Sequence, residues 1–255
     1  MKDLFRREPL REYPDYSSSH LHAGEQYQAR FNARPGRAAM WELEKPLIKD
    51  IFRSLAPHRA LDFATGTGRI VAELEGILPD CEFHGIDISA DMLALARTKC
   101  ARVTFHEMDG RQALDEFGKE SFDVISAFRF FPNAEPPLRK DVADQIAALT
   151  RPGGHVVLNN HRSFWSIPYV SMRVVGNKFG NYGSPNADIK KLFTDRGFSV
   201  ARKYSLGVWP QTDLRSLLLS WKTTMALERF NLRHCSRAHT LGYNTIFVFR
   251  KARAR

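Results

Sequence analysis

The stretch Leu61-Asp62-Phe63-Ala64-Thr65-Gly66-Thr67-Gly68 decides the fold. The apolar run at 60–63 predicts a buried strand. After the turn at 64–68, Ile70, Val71, Leu74, Ile77 and Leu78 recur at helical spacing over 69–78. Gly66 and Gly68 let the backbone pass where a Cβ would clash, and the helix start offers unpaired N–H groups. A strand, a glycine turn and a helix together predict one half of a βαβ unit.

The pattern repeats on both sides. Strands are expected at 82–87, 103–106, 122–127 and 155–159. Helices are expected at 90–99, where Ser89 is a suitable N-cap and Asp91 suits the positive end, and at 138–149. Upstream, Met40, Leu43, Leu47, Ile51 and Leu55 lie on one face of a helix over 37–55, with a kink or restart expected at Pro46. Strands and helices of this length predict a doubly wound α/β domain with a mostly parallel sheet. Such a sheet binds ligands beyond the carboxyl ends of its strands.

The flanks are less regular. Residues 1–35 read as a polar arm with a short helix near 24–31, and the main domain is expected over 36–255. Residues 162–182 are aromatic and basic, and residues 207–240 include an apolar helical pattern through Leu214, Leu217, Leu218, Trp221, Met225 and Phe230. Both are expected to be lid segments. Further helix is expected at 185–196, and strands at 198–206 and 243–249.

Composition narrows the setting. The formal net charge is +10, and residues 201–255 hold eleven Lys or Arg against two acids. That bias fits a solvated face, or a patch for an anionic partner. No apolar run reaches the roughly 20 residues that span a bilayer. Cys81, Cys100 and Cys235 are far apart and predict neither a disulfide framework nor a metal cluster, which leads to a cytoplasmic expectation.

Chemistry is expected just after each strand. Asp87 closes the second strand, nineteen residues after Gly68, where an acid can accept both hydroxyls of a ribose. A dinucleotide site would place a third glycine where Val71 stands. Asp62 beside the turn is poor company for a pyrophosphate and acceptable company for an ammonium group. The charges therefore favour a sulfonium amino-acid nucleoside.

From about residue 27 to 249 the chain resembles the class I S-adenosylmethionine-dependent methyltransferases. Asp62–Gly68 resembles their Asp-x-Gly-x-Gly-x-Gly motif, with Ala64 in place of the first glycine. The resemblance implies a Rossmann-like seven-stranded sheet, S-adenosyl-L-methionine as cofactor and no metal. It implies cofactor binding by Tyr27, Asp62, Ala64, Thr65, Gly66, Gly68, Asp87, Ile88, Met92, Asp109, Gly110 and Phe128. Asp109 would meet the adenine amine, and Tyr27 would close over the methionine end. Phe122-Asp123-Val124-Ile125 and Arg151-Pro152-Gly153-Gly154 resemble the fourth strand and the turn into the fifth.

Two residues are candidates for the transfer itself. His161, after the fifth strand, offers a base, and Arg129, after the fourth, offers a fork for an anionic substrate group. Asn133 and Asn160 are weaker candidates for orienting polar groups. The leading expectation is methylation of a small polar acceptor, such as a sugar or natural-product intermediate, at oxygen rather than nitrogen. RNA or protein methylation and a non-catalytic cofactor-binding subunit are the alternatives. The reading disfavours nucleic acid, and leaves open peripheral membrane contact and a homodimer.

Overall fold

The computed structural model describes residues 35–176, 183–209 and 220–253. A helix, α1 (Pro35–Leu55), precedes β1 (Arg59–Phe63), α2 (Arg69–Leu74), β2 (Glu82–Asp87), α3 (Ala90–Arg97) and β3 (Thr104–Glu107). After a 3-10 turn at Gly110–Gln112 come α4 (Ala113–Phe117), β4 (Phe122–Ala127), α5 (Pro136–Leu149) and β5 (Thr150–Asn160). The chain continues through α6 (Ile167–Val174), α7 (Asn186–Thr194), β6 (Phe198–Leu206), α8 (Trp221–His234) and β7 (Asn244–Lys251).

The seven strands form one sheet in the order β3-β2-β1-β4-β5-β7-β6. The first five run parallel, and β7 inserts antiparallel between β5 and β6. The order reverses between β1 and β4. That switch point opens a crevice at the carboxyl ends of the strands.

Strand side chains alternate between two buried layers. Leu61, Ile125, Val156, Leu158, Phe247 and Phe249 face one layer, packed by Val142, Ile146 and Leu149 of α5 and Phe193 of α7. Ala60, Val124, Val157, Ile246 and Val248 face the other, packed by Met40, Leu43, Ile48 and Ile51 of α1 and Val71 and Leu74 of α2. A sheet buried on both faces explains why its strands read as continuous apolar runs.

Several sequence boundaries shift. Helix α1 runs through Pro46 as one element. The fifth strand begins at Thr150, because Pro152-Gly153-Gly154 is absorbed as an irregularity in the pairing with β4. In the first expected lid segment, an aromatic and basic run with no clear strand, α6 forms. In the second, the helix is α8, and Leu214, Leu217 and Leu218 lie outside the described residues.

Candidate functional site

The turn after β1 is built from left-handed backbone. Ala64, Gly66 and Gly68 have φ of 55°, 56° and 70°. Ala64 holds this conformation with a Cβ, which costs on the order of 1 kcal/mol. The turn is fixed by Thr65 N–H donating to the Ile86 carbonyl (2.9 Å) and Gly68 N–H donating to Thr65 (3.1 Å). At Gly66 an added Cβ would meet nothing within 4 Å, so the backbone here borders open space. Gly68 differs. It is the N-cap of α2, and a Cβ there would lie 2.9 Å from the Cβ of Ala96 on α3.

A cleft of about 1050 Å³, part of it open to solvent, lies along this turn. Of the expected cofactor residues, Asp62, Ala64, Thr65, Gly66, Asp87, Ile88, Met92, Asp109, Gly110 and Phe128 line it. Gly68 is not among the lining residues; its missing side chain permits the close approach of α2 and α3. Tyr27 lies outside the described residues.

The acids divide the work. Asp87 accepts from Gly66 N–H at Oδ2 (2.8 Å) and from Ser89 N–H at Oδ1 (3.0 Å). A carboxylate oxygen can accept more than one hydrogen bond, which suits this acid to a ribose diol. Asp62 is buried and accepts from Thr65 Oγ1 (2.7 Å) and Ser126 Oγ (2.6 Å). Burial pushes its carboxyl up to about 6 despite those bonds. Asp109 accepts from the Arg111 amide (2.9 Å) and guanidinium (2.5 Å from Nη2), which hold it below the usual carboxylate range. A ligand amine at Asp109 must share it with Arg111.

The opposite character comes from Ile88, Met92, Met108 and Phe128, which give the cleft apolar lining suited to a flat base. A glycine backbone bordering open space, a carboxylate at the second strand's end and an apolar slot together fit an S-adenosyl nucleoside. Sequence reasoning missed Arg69, which lines the cleft and whose guanidinium stacks 4.4 Å over the Trp41 ring of α1. Only its place as the first residue of α2 hinted at it.

The transfer candidates separate. Arg129 lines the cleft, in a left-handed backbone of φ 63°. Its N–H donates to Asn159 Oδ1 (2.7 Å), and its carbonyl accepts from Asn133 Nδ2 (2.5 Å). His161 follows β5, half-buried, and is not among the residues that line this cleft. Asn160 is buried and donates to the Ser184 carbonyl and Asn186 Oδ1, both at 2.8 Å, which ties β5 to the chain entering α7. Among the described residues, no group of three or more His, Cys, Asp or Glu is placed to hold a metal. None of the described helices is long and apolar enough to cross a membrane.

The family model of a methyltransferase domain matches residues 60–154, which run from β1 into β5. A demethylmenaquinone methyltransferase of Thermus thermophilus is 33% identical over 116 residues, 43% of this chain and 50% of that protein. One from Chlorobaculum parvum is 42% identical over 69 residues, 27% of each chain. The chain thus spans between a quarter and a half of the length of these curated relatives.

Similarity in fold extends further. An S-adenosylmethionine-dependent methyltransferase of Thermotoga maritima superposes with a TM-score of 0.64 at 15% identity, over 92% of this chain and 99% of that one. The magnesium protoporphyrin IX methyltransferase of Synechocystis, solved with S-adenosylmethionine bound, gives 0.58 at 15% identity over 92% and 95%. Residues 60–154 thus match a methyltransferase domain, and the chain shares the seven-stranded fold of S-adenosylmethionine-dependent methyltransferases.

Proposed function

We propose that this chain methylates a small acceptor carrying an acidic hydroxyl, with Arg129 holding the oxyanion and the methyl group going to the ring carbon beside it. The observation that carries this reading is Arg129 itself: a cationic residue lining the cleft, on strained backbone pinned at both its N–H and its carbonyl. Strain of this kind persists where the surrounding structure over-determines it, and it clusters at functional positions.

When bound, S-adenosylmethionine supplies an electrophilic methyl group on a sulfonium and leaves as a neutral thioether. The chain's contribution is alignment and exclusion of water. Asp87 and the turn around Gly66 hold the nucleoside, and Arg129 fixes the acceptor through charge-assisted bonds. An acceptor that is already an anion does not need a strong base for the attack, and the methylated ring carbon then releases its proton to solvent as the aromatic ring is restored. This shifts the expectation away from oxygen methylation with His161 as base. The relatives named for demethylmenaquinone methylation support a quinone-type ring, hydroxylated in its reduced form, as acceptor. Residues 162–182 and 207–240, added to the common core, are proposed to select it.

The test is transfer of isotope-labelled methyl from S-adenosylmethionine to a panel of a demethylated naphthoquinol, a simple phenol, an amine and an RNA. Label on the naphthoquinol ring carbon is expected, and label only on the amine or the RNA contradicts the proposal. Arg129→Met should raise the acceptor KM about 10- to 100-fold, the loss of one or two charge-assisted bonds, with cofactor affinity within about twofold.

A further inference from the structure

A chain of buried side chains leads away from Arg129. Its N–H donates to Asn159 Oδ1 (2.7 Å), Asn159 Nδ2 donates to Asn244 Oδ1 (3.2 Å), and Asn244 Nδ2 donates to a carboxylate oxygen of Glu44. Asn159, Asn244 and Glu44 are all 0–1% exposed. The chain crosses from the loop after β4 through β5 and β7 to α1. Glu44 sits on the apolar face of α1 beside Met40, Leu43 and Leu47, where an acid is costly without a purpose.

Direction is what Glu44 contributes. An amide side chain can present either its oxygen or its nitrogen to a neighbour, but an ionised carboxylate only accepts. With Glu44 at one end, Asn244 must turn its nitrogen toward α1 and its oxygen toward Asn159. Asn159 must then turn its oxygen toward Arg129. The amide of Arg129 therefore meets an acceptor because of a charge three side chains away. Burial pushes ionisation of the Tyr243 hydroxyl to higher pH, and this hydroxyl also feels Glu44 as a negative charge and Arg129 as a positive one.

We propose that Glu44 is a positioning residue: through Asn244 and Asn159 it fixes the backbone of Arg129, and so the guanidinium that holds the acceptor. The role in turnover rests on the acceptor reading above; the polarity of the chain does not.

The test uses amide hydrogen exchange by NMR on the unliganded full chain. Glu44→Gln preserves the volume but lets the terminal group donate, so both asparagines can reverse. Exchange at the Arg129 amide should rise about tenfold or more, the loss of one buried hydrogen bond, while Ile125 and Val157 stay unchanged. Adding Asn244→Asp restores an acceptor-only group one step closer and should bring Arg129 within about threefold of the parent. An unchanged Arg129 amide in Glu44→Gln, a parallel rise at Ile125 and Val157, or no recovery in the double variant overturns the proposal. If Glu44→Gln does not fold, the double variant alone decides: parent-like exchange supports the relay and elevated exchange overturns it. With demethylated naphthoquinol as acceptor, Glu44→Gln should raise KM about tenfold and the double variant should restore it. An unchanged KM removes the functional role. Absence of any transfer to that acceptor by the parent chain counts against the acceptor reading and leaves the exchange result standing.

Discussion

Asp62 shows how one carboxylate can serve both the turn and the ligand. It accepts from Thr65 and Ser126 inside the fold and also lines the cleft. Burial raises its folded value to about 6 from the ordinary 3.8. Between about 4 and 6 the native state therefore holds the extra proton, and this group's contribution to stability falls as pH rises through that window. Ionised Asp62 suits a ligand ammonium. Affinity for S-adenosylhomocysteine, measured by calorimetry, should rise about tenfold from pH 5 to pH 7, and Asp62→Asn should flatten the rise. A flat profile in the parent chain would separate Asp62 from the ammonium. The Ala64 to Gly68 turn and Asp87 were legible in the sequence because each follows from local backbone geometry at a strand end. Glu44 was not, because its partner Asn244 is 200 residues away. The available signal was an acid in register with the apolar face of a helix.

Elements beyond the parallel sheet are held by buried polar groups. Glu228 of α8 is fully buried and accepts from the amides of Gly207 (3.1 Å) and Trp209 (2.8 Å), fixing the chain as it leaves β6. Burial raises its carboxyl above the usual range. Glu228→Ala strands two backbone donors and should lower stability by about 2–4 kcal/mol in urea denaturation. A loss below about 0.5 kcal/mol would mean that the loop finds other acceptors. The parallel strands were readable from apolar runs, since both faces of the sheet are buried. The element that carries Glu228 was harder to place. Its apolar residues are few, with Phe230 59% exposed, and its position is fixed by contacts to β6 rather than by a continuous stripe. The packing role of Gly68 was illegible for a similar reason: its neighbour Ala96 comes from the next helix, beyond any local pattern.

At the scale of the molecule, the strand order places the cleft. The reversal between β1 and β4 lets the turn at Gly66, the acid at Asp87 and the loop carrying Arg129 converge from three strand ends. The antiparallel β7 brings Asn244 beside β5, so the inserted strand connects α1 to the same cleft. Cofactor recognition and the proposed acceptor positioning would thus meet at the switch point, supplied by different elements. The most direct test is titration of S-adenosylhomocysteine into the chain and into Asp87→Ala. One site of micromolar affinity is expected in the parent, weakened about 100-fold in the variant by loss of the charge-assisted bonds to the ribose. No binding at high micromolar concentration, or equal affinity in the two proteins, would contradict the assignment of this cleft.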